Sequence, residues 1–169
     1  VGSGAVGGNL GGLDGADAMC QTLAEAVGST RTWHAYLSTS TVDARDRIGT
    51  GPWENVNGDV IAMDVDALHN DGLSNGDPQH IFDENGDEVP ANEHDILTGS
   101  DDDGTLHPGE NTCQDWTSND QNDSARVGHS DIPMNFSPSW NNAHDTQGCD
   151  QDGIISTGGA GRLYCFAID

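Results

Sequence analysis

The most concentrated apolar stretch of the chain is Gly161-Arg162-Leu163-Tyr164-Cys165-Phe166-Ala167-Ile168. Both of its alternating sets, Leu163/Cys165/Ala167 and Tyr164/Phe166/Ile168, are apolar. A strand with two apolar faces belongs between two layers, so this segment is predicted to be a central strand buried on both sides. Ala16, Met19, Cys20, Leu23 and Val27 recur at helical spacing. They predict a helix from a cap at Asp14 to about Val27, stopped by Gly28. The segment 32–38 alternates, with Trp33, Ala35 and Leu37 on one side, and reads as a strand. A short helix is expected next, capped by Thr41 and carrying Arg45 and Arg47 near its end, where cations suit the helix dipole. Asn57-Gly58 and Asn85-Gly86 predict two hairpins, because Asn-Gly supplies the positive φ angles of a tight two-residue turn. Thr112-Cys113-Gln114-Asp115-Trp116-Thr117 reads as a further core strand between long polar loops at 69–80 and 117–160.

Composition narrows the picture. The 169 residues fit one domain, with residues 1–10 as a glycine-rich, flexible lead-in and 11–169 as the folded unit. Only 33% of the chain is apolar, so the core is expected to be modest and to need covalent staples. Cys20, Cys113, Cys149 and Cys165 are even in number, widely spaced and without a C-x-x-C, which points to disulfides and an oxidising, extracellular or cell-surface location. Four cysteines allow three pairings, and spacing does not choose among them. The chain begins at Val1 without a signal-like segment, as expected of a processed or excised form.

Five basic residues against 29 acidic ones give a net charge of −24, and lysine is absent. Nucleic-acid binding and attachment to anionic membranes both require clustered Lys and Arg, so neither is expected. No apolar run reaches the roughly 20 residues of a membrane span, which excludes direct helical insertion. The ordinary role of such charge is solubility; the sharper one is calcium, since most of the acids are Asp in Gly/Asn-rich loops. Asp83, Asn85 and Asp87 around Gly86, with Asp101 and Asp103 before Gly104, are the candidate oxygen ligands for calcium. Neither loop has the EF-hand pattern, because Gly86 stands at loop position 4 and His94 at position 12.

Other patterns carry less. Gly2-Ser3-Gly4-Ala5-Val6-Gly7 spells a dinucleotide fingerprint but follows no strand. Gly72-Leu73-Ser74-Asn75-Gly76 spells a nucleophile elbow without a strand leading into it. The seven histidines are scattered, without H-E-x-x-H or an i, i+4 pair, and are expected mostly at the surface. Trp33 and Trp116 are predicted core residues; Trp53 and Trp140, in Pro-flanked segments, are the candidates for stacking on a ligand.

Six segments occur in order: Gly11-Gly12-Leu13 with Gly15-Ala16-Asp17-Ala18-Met19-Cys20, Trp33-His34-Ala35-Tyr36-Leu37-Ser38, Ile81-Phe82-Asp83-Glu84-Asn85-Gly86, Thr98-Gly99-Ser100-Asp101 with Gly104, Cys113-Gln114-Asp115-Trp116 and Leu163-Tyr164-Cys165. Together they resemble the endostatin-like domain, a C-type-lectin-like fold found in animal collagens and in bacterial surface proteins, the bacterial members being the nearer. The resemblance implies an α+β fold with a small twisted sheet, two main helices and long loops. It also implies nested disulfides, Cys20–Cys165 outside and Cys113–Cys149 inside. The animal domain's arginine-rich heparin face and N-terminal zinc histidines have no counterpart here, nor do the lectin sugar-binding motifs. The expectation is a secreted or cell-surface binding or adhesion module, not an enzyme, that recognises a glycan or an extracellular protein. A structural subunit of an extracellular layer or filament, formed by self-association, is the alternative, and a polysaccharide-active enzyme is the third and least favoured reading.

Overall fold

The computed structural model describes residues 7–70, 81–131 and 139–169. Helix α1 (Gly12–Ala26) leads into strand β1 (Trp33–Ala35), followed by a 3-10 turn at Ala44–Asp46. The hairpin of β2 (Trp53–Glu54) and β3 (Val60–Ala62) comes next, then α2 (Val65–Asn70), and a second 3-10 turn at Ala91–Glu93 opens onto β4 (Asp95–Leu97). The order continues through α3 (Cys113–Trp116), β5 (Arg126–His129), β6 (His144–Asp145), α4 (Gln151–Ile155), β7 (Gly159–Leu163) and β8 (Cys165–Ala167). The class is α+β.

The main sheet has four strands in the order β6-β5-β4-β7, with β4 and β7 parallel and the other pairs antiparallel. A separate antiparallel pair joins β1 to β8, so the first and last strands lie side by side. The apolar C-terminal run is therefore two strands in two sheets rather than one. Its partner β4 ends at Leu97, where the amides of Thr98 and Gly99 both turn to the Arg126 carbonyl. Past Tyr164 the chain changes sheet and pairs with β1.

Burial on both faces holds across that change. Ala35, Leu37, Leu97 and Leu163 pack into one apolar cluster together with α1, Trp116 and the Cys113 and Cys149 sulfurs. Their neighbours Tyr36, Ile96, Tyr164 and Phe166 pack into a second, aromatic cluster with Trp53 and Trp140. Strand periodicity of two thus sends odd positions to one core and even positions to the other.

Several expectations are corrected. Helix α1 begins at Gly12 with Gly11 at its N-cap, and Asp14 lies in the first turn. The buried stripe is Ala16, Cys20 and Ala24, while Val27 is exposed; Gly28, at φ 88°, ends the helix as expected. In place of a helix capped by Thr41 there is one 3-10 turn after Asp43. The β2–β3 connection is longer than two residues, since the Asn55 side-chain oxygen accepts the amides of Asn57 and Asp59 and builds a wider turn. From Gly7 onward the lead-in is docked: Gly8 donates to the Cys149 carbonyl at 2.7 Å, and Leu10 is in the core.

The segment 112–117 is not a strand. Cys113, Gln114, Asp115 and Trp116 all have φ between 50° and 65°, making one left-handed helical turn. Such a conformation costs L-residues about 1–2 kcal/mol each, so it needs outside support. That support comes from the Cys113–Cys149 disulfide, the buried Trp116 indole donating to the Ser38 carbonyl at 2.9 Å, and the Asp115 carboxylate accepting from the amide and hydroxyl of Ser40 at 2.8 and 2.6 Å. The stretch 117–160, expected as loop, contains β5, β6, α4 and the start of β7.

The cysteines pair Cys20–Cys165 and Cys113–Cys149, across 145 and 36 residues. In the chain-entropy picture, loops of these lengths correspond to about 5 and 4 kcal/mol of restraint on the unfolded chain.

Candidate functional site

The register of the main sheet gathers imidazoles around one carboxylate. Asp95 opens β4 directly opposite His129 on β5, and His144 on β6 lies opposite Val127, two residues along the same face. His94, at the end of the preceding 3-10 turn, reaches the same point from the side. The Asp95 side chain is fully buried. Its Oδ1 lies 3.2 Å from His94 Nε2 and 3.2 Å from His129 Nε2, and its Oδ2 lies 3.4 Å from His144 Nε2. The rings stand edge to face, with centroids 4.7 Å apart for His94 and His129 and 4.9 Å for His129 and His144. Despite this proximity, neither Asp95 oxygen nor His129 Nε2 makes a hydrogen bond of acceptable geometry.

The outer nitrogens of two of the rings are already committed. His94 Nδ1 donates to the Ala91 carbonyl at 2.7 Å and His144 Nδ1 to the Asp145 carbonyl at 3.2 Å, since a carbonyl can only accept. In the neutral rings, Nε2 then presents a lone pair to a carboxylate oxygen. Acceptors facing each other at this distance are stable only with a cation between them. Gly158 and Gly159 close the wall: a Cβ on Gly158 would sit 3.0 Å from His94 Cε1, and one on Gly159 would sit 3.3 Å from Asp95 Cβ.

A second polar group lies in the aromatic core. The buried Tyr36 hydroxyl donates to His69 Nε2 at 2.8 Å, because His69 Nδ1 is already donating to the Val65 carbonyl, and it accepts from Asn141 Nδ2 at 3.0 Å. Burial holds His69 below the usual imidazole range and pushes the Tyr36 and Tyr164 phenols above theirs.

A groove of about 690 Å³ runs between the end of α1, strand β8 and the β2–β3 hairpin. Trp33, Ile61, Phe82 and Phe166 line it, the exposed Val27 and Val56 stand at its edge, and Glu54, Asp83 and Glu84 border it.

A family model described as "Protein of unknown function (DUF1554)" matches residues 3–132. The chain belongs to that family. No curated protein matches it. The DUF1554 match runs from α1 through β5 and so includes His94, Asp95 and His129, whereas His144, Cys149 and Cys165 lie beyond it.

In this DUF1554 chain the residues expected to hold calcium are divided between two turns. Asp83, Asn85 and Asp87 form one turn, in which the Asp83 carboxylate accepts the amides of Asn85 and Asp87 at 2.8 and 3.0 Å. Asp101 and Asp103 form another, in which the Asp103 carboxylate takes the amide and hydroxyl of Thr105 at 3.0 and 2.6 Å. Partial burial, the largest single influence on Asp83, raises its pKa, but the amide bonds together outweigh it, and the Thr105 bonds to Asp103 act in the same sense, so both carboxyls lie below their ordinary pKa. Among the described residues, the group whose ligand atoms converge is instead His94, Asp95 and His129.

Trp53 and Trp140 are not exposed stacking platforms, being only 5% and 2% exposed. Trp53 donates to the Ala167 carbonyl and meets Phe166 edge to face, and Trp140 packs on Tyr36 and Tyr164. The glycine pattern at 72–76 lies outside the described residues, as does nearly all of that at 2–7. The histidine cluster was missed because its members are brought together by cross-strand register, which leaves no local motif. Its one trace in the sequence is the repeated His-Asp pair at 94–95 and 144–145.

Proposed function

We propose that this protein is an extracellular or cell-surface binding module of the endostatin-like, C-type-lectin-like type. Its groove beside α1 and β8 holds an extended segment of another extracellular protein, one with apolar side chains flanked by Arg or Lys. The observation that carries this reading is the groove itself, an apolar channel bordered by Glu54, Asp83 and Glu84 on a chain of net charge −24. Apolar residues of a partner would cover Val27 and Val56, and basic flanks would meet the carboxylates, which favours rapid, salt-sensitive association. The endostatin-like assignment draws support from the order of α1, β1 and the C-terminal strand, and from the nesting of the two disulfides. Two disulfides suit an oxidising exterior, and no helix among the described residues is long and apolar enough to cross a membrane. A protein partner is favoured over a glycan because Trp53 and Trp140, the rings expected to stack on sugar, are inside the core.

The test is a screen of the intact domain against peptide arrays from extracellular-matrix proteins and, in parallel, a glycan array, each in calcium and in EDTA. Binding to basic-apolar peptides is expected, weakening as salt rises and lost on combining Glu54→Lys with Glu84→Lys. Binding confined to glycans, or peptide binding indifferent to those substitutions, overturns the proposal.

A further inference from the structure

We propose that His94, Asp95 and His129 form a three-ligand site for a first-row transition-metal ion, with zinc as the preferred occupant. The site stands apart from the groove and does not depend on the reading given to it. The argument starts from Asp95, whose carboxylate is fully buried yet has neither oxygen in a hydrogen bond. A buried, unpaired carboxylate costs several kcal/mol, so a native fold does not retain one without a partner. Protons alone serve poorly. An Nε2–H group on these rings would still meet the Asp95 oxygens at poor angles.

A metal ion gives Asp95 and His129 the partner they lack. Zinc bonds to imidazole nitrogen and carboxylate oxygen are about 2.0–2.1 Å long, so two ligands of a tetrahedral centre lie about 3.3–3.4 Å apart. Asp95 Oδ1 lies 3.2 Å from His94 Nε2 and 3.2 Å from His129 Nε2. The Nδ1 bond to the Ala91 carbonyl is a contact of the kind that orients a metal-binding histidine and aims its Nε2 lone pair inward. Two imidazoles and one carboxylate suit zinc, copper or nickel, while calcium, which takes six to eight oxygens, finds too few here. The 38% exposed His144 side chain, beside Asp95 Oδ2, leaves an entry path for the ion. Three protein ligands leave a fourth position for solvent, and the ion ties the turn before β4 and β4 itself to β5.

The test uses the whole folded domain, stripped with EDTA and then titrated calorimetrically with zinc chloride. One zinc per chain is expected, with cobalt giving the intense visible absorption of a tetrahedral centre, and calcium and magnesium giving no saturable binding at this site. His94→Ala, at a half-buried position where folding should survive, should weaken zinc binding more than about 100-fold, beyond the usual effect of losing an outer-shell partner. Asp95→Asn and His129→Gln should do the same where circular dichroism shows them folded. Absence of zinc and cobalt uptake by the wild-type domain overturns the proposal. So does uptake that is unchanged in His94→Ala, which would assign the metal to surface carboxylates.

Discussion

Gly128 offers the sharpest test of the packing described above. It lies in β5 between Val127 and His129, and its φ is not positive, so a side chain there meets no backbone penalty of its own. The obstacle is steric: a Cβ would fall 1.8 Å from the Trp140 carbonyl oxygen, 2.3 Å from its carbon and 2.5 Å from Asn141 Cα. Restoring ordinary contact requires a shift of about 1.5 Å in a backbone segment, and overpacking of this kind costs about 1–3 kcal/mol. The segment is not free to move. Its carbonyls accept from Tyr164 and Thr98, at 3.0 and 2.7 Å, and Asn141 Nδ2 donates to Tyr36. Losing two of these bonds adds about 1 kcal/mol each, so Gly128→Ala should cost about 3–5 kcal/mol and lower Tm by about 6–20 °C. Gly58→Ala is the control, because Gly58 has φ 83° and open space around it and should cost only about 1–2 kcal/mol in backbone strain. Urea unfolding of both variants measures the difference. If Gly128→Ala is no more destabilising than Gly58→Ala, the close packing of Trp140 and Asn141 on β5 is refuted.

Four further outcomes are expected. Because the folded His69 has a lowered pKa, its stabilising contribution is complete above the unfolded value of about 6.5 and is lost as pH falls below it; urea midpoints from pH 7.5 to 5 should decline less in His69→Gln than in wild type. The raised Tyr36 and Tyr164 pKa values act at the other end, so stability should fall above about pH 10, where the unfolded phenols ionise first, and a Tyr164→Phe variant should fall less steeply. Reduction should lower Tm sharply, and non-reducing peptide mapping should join a Cys20 fragment to a Cys165 fragment; a Cys20–Cys113 link would contradict the fold. Gln114→Gly should be neutral or stabilising by up to about 1 kcal/mol, since glycine removes the cost of the left-handed turn, and a clear loss of stability in denaturant would count against that turn.

What the sequence disclosed was burial rather than connectivity. The two apolar faces of 163–168 announced a strand between two cores, and Leu163 and Tyr164 do part to opposite clusters. The change of sheet at Tyr164 depends on where β4 ends, which no local pattern records. Strands β5 and β6 were hidden because their inward residues are polar: His129 and His144 face a carboxylate, and Gly128 makes room for the Trp140 backbone. Asp95 breaks the alternation of a buried strand for the same reason. Cys113–Trp116 misled because its conformation is imposed from outside by a disulfide, an indole bond and Ser40, against local preference. The acidic turns at 83–87 and 101–105 were correctly located; the Asp83 and Asp103 carboxylates accept amides of their own turns, and Asp101 reaches across to Asn142.

The pairing of β1 with β8, sealed by Cys20–Cys165, also sets a clock. Residue 20 emerges 145 residues before its partner, which at synthesis rates of about 5–20 residues per second is a wait of roughly 7–30 s. Cys113 and Cys149 reach the Cys20 thiol before Cys165 does, while the face of α1 bearing Ala16 and Ala24 has no β1–β8 sheet to cover it. The Cys20–Cys165 bridge is therefore the last for which both thiols become available. Any earlier match of Cys20 would have to be undone by thiol exchange, so in an oxidising compartment the yield should follow the supply of a disulfide isomerase more closely than the supply of oxidant.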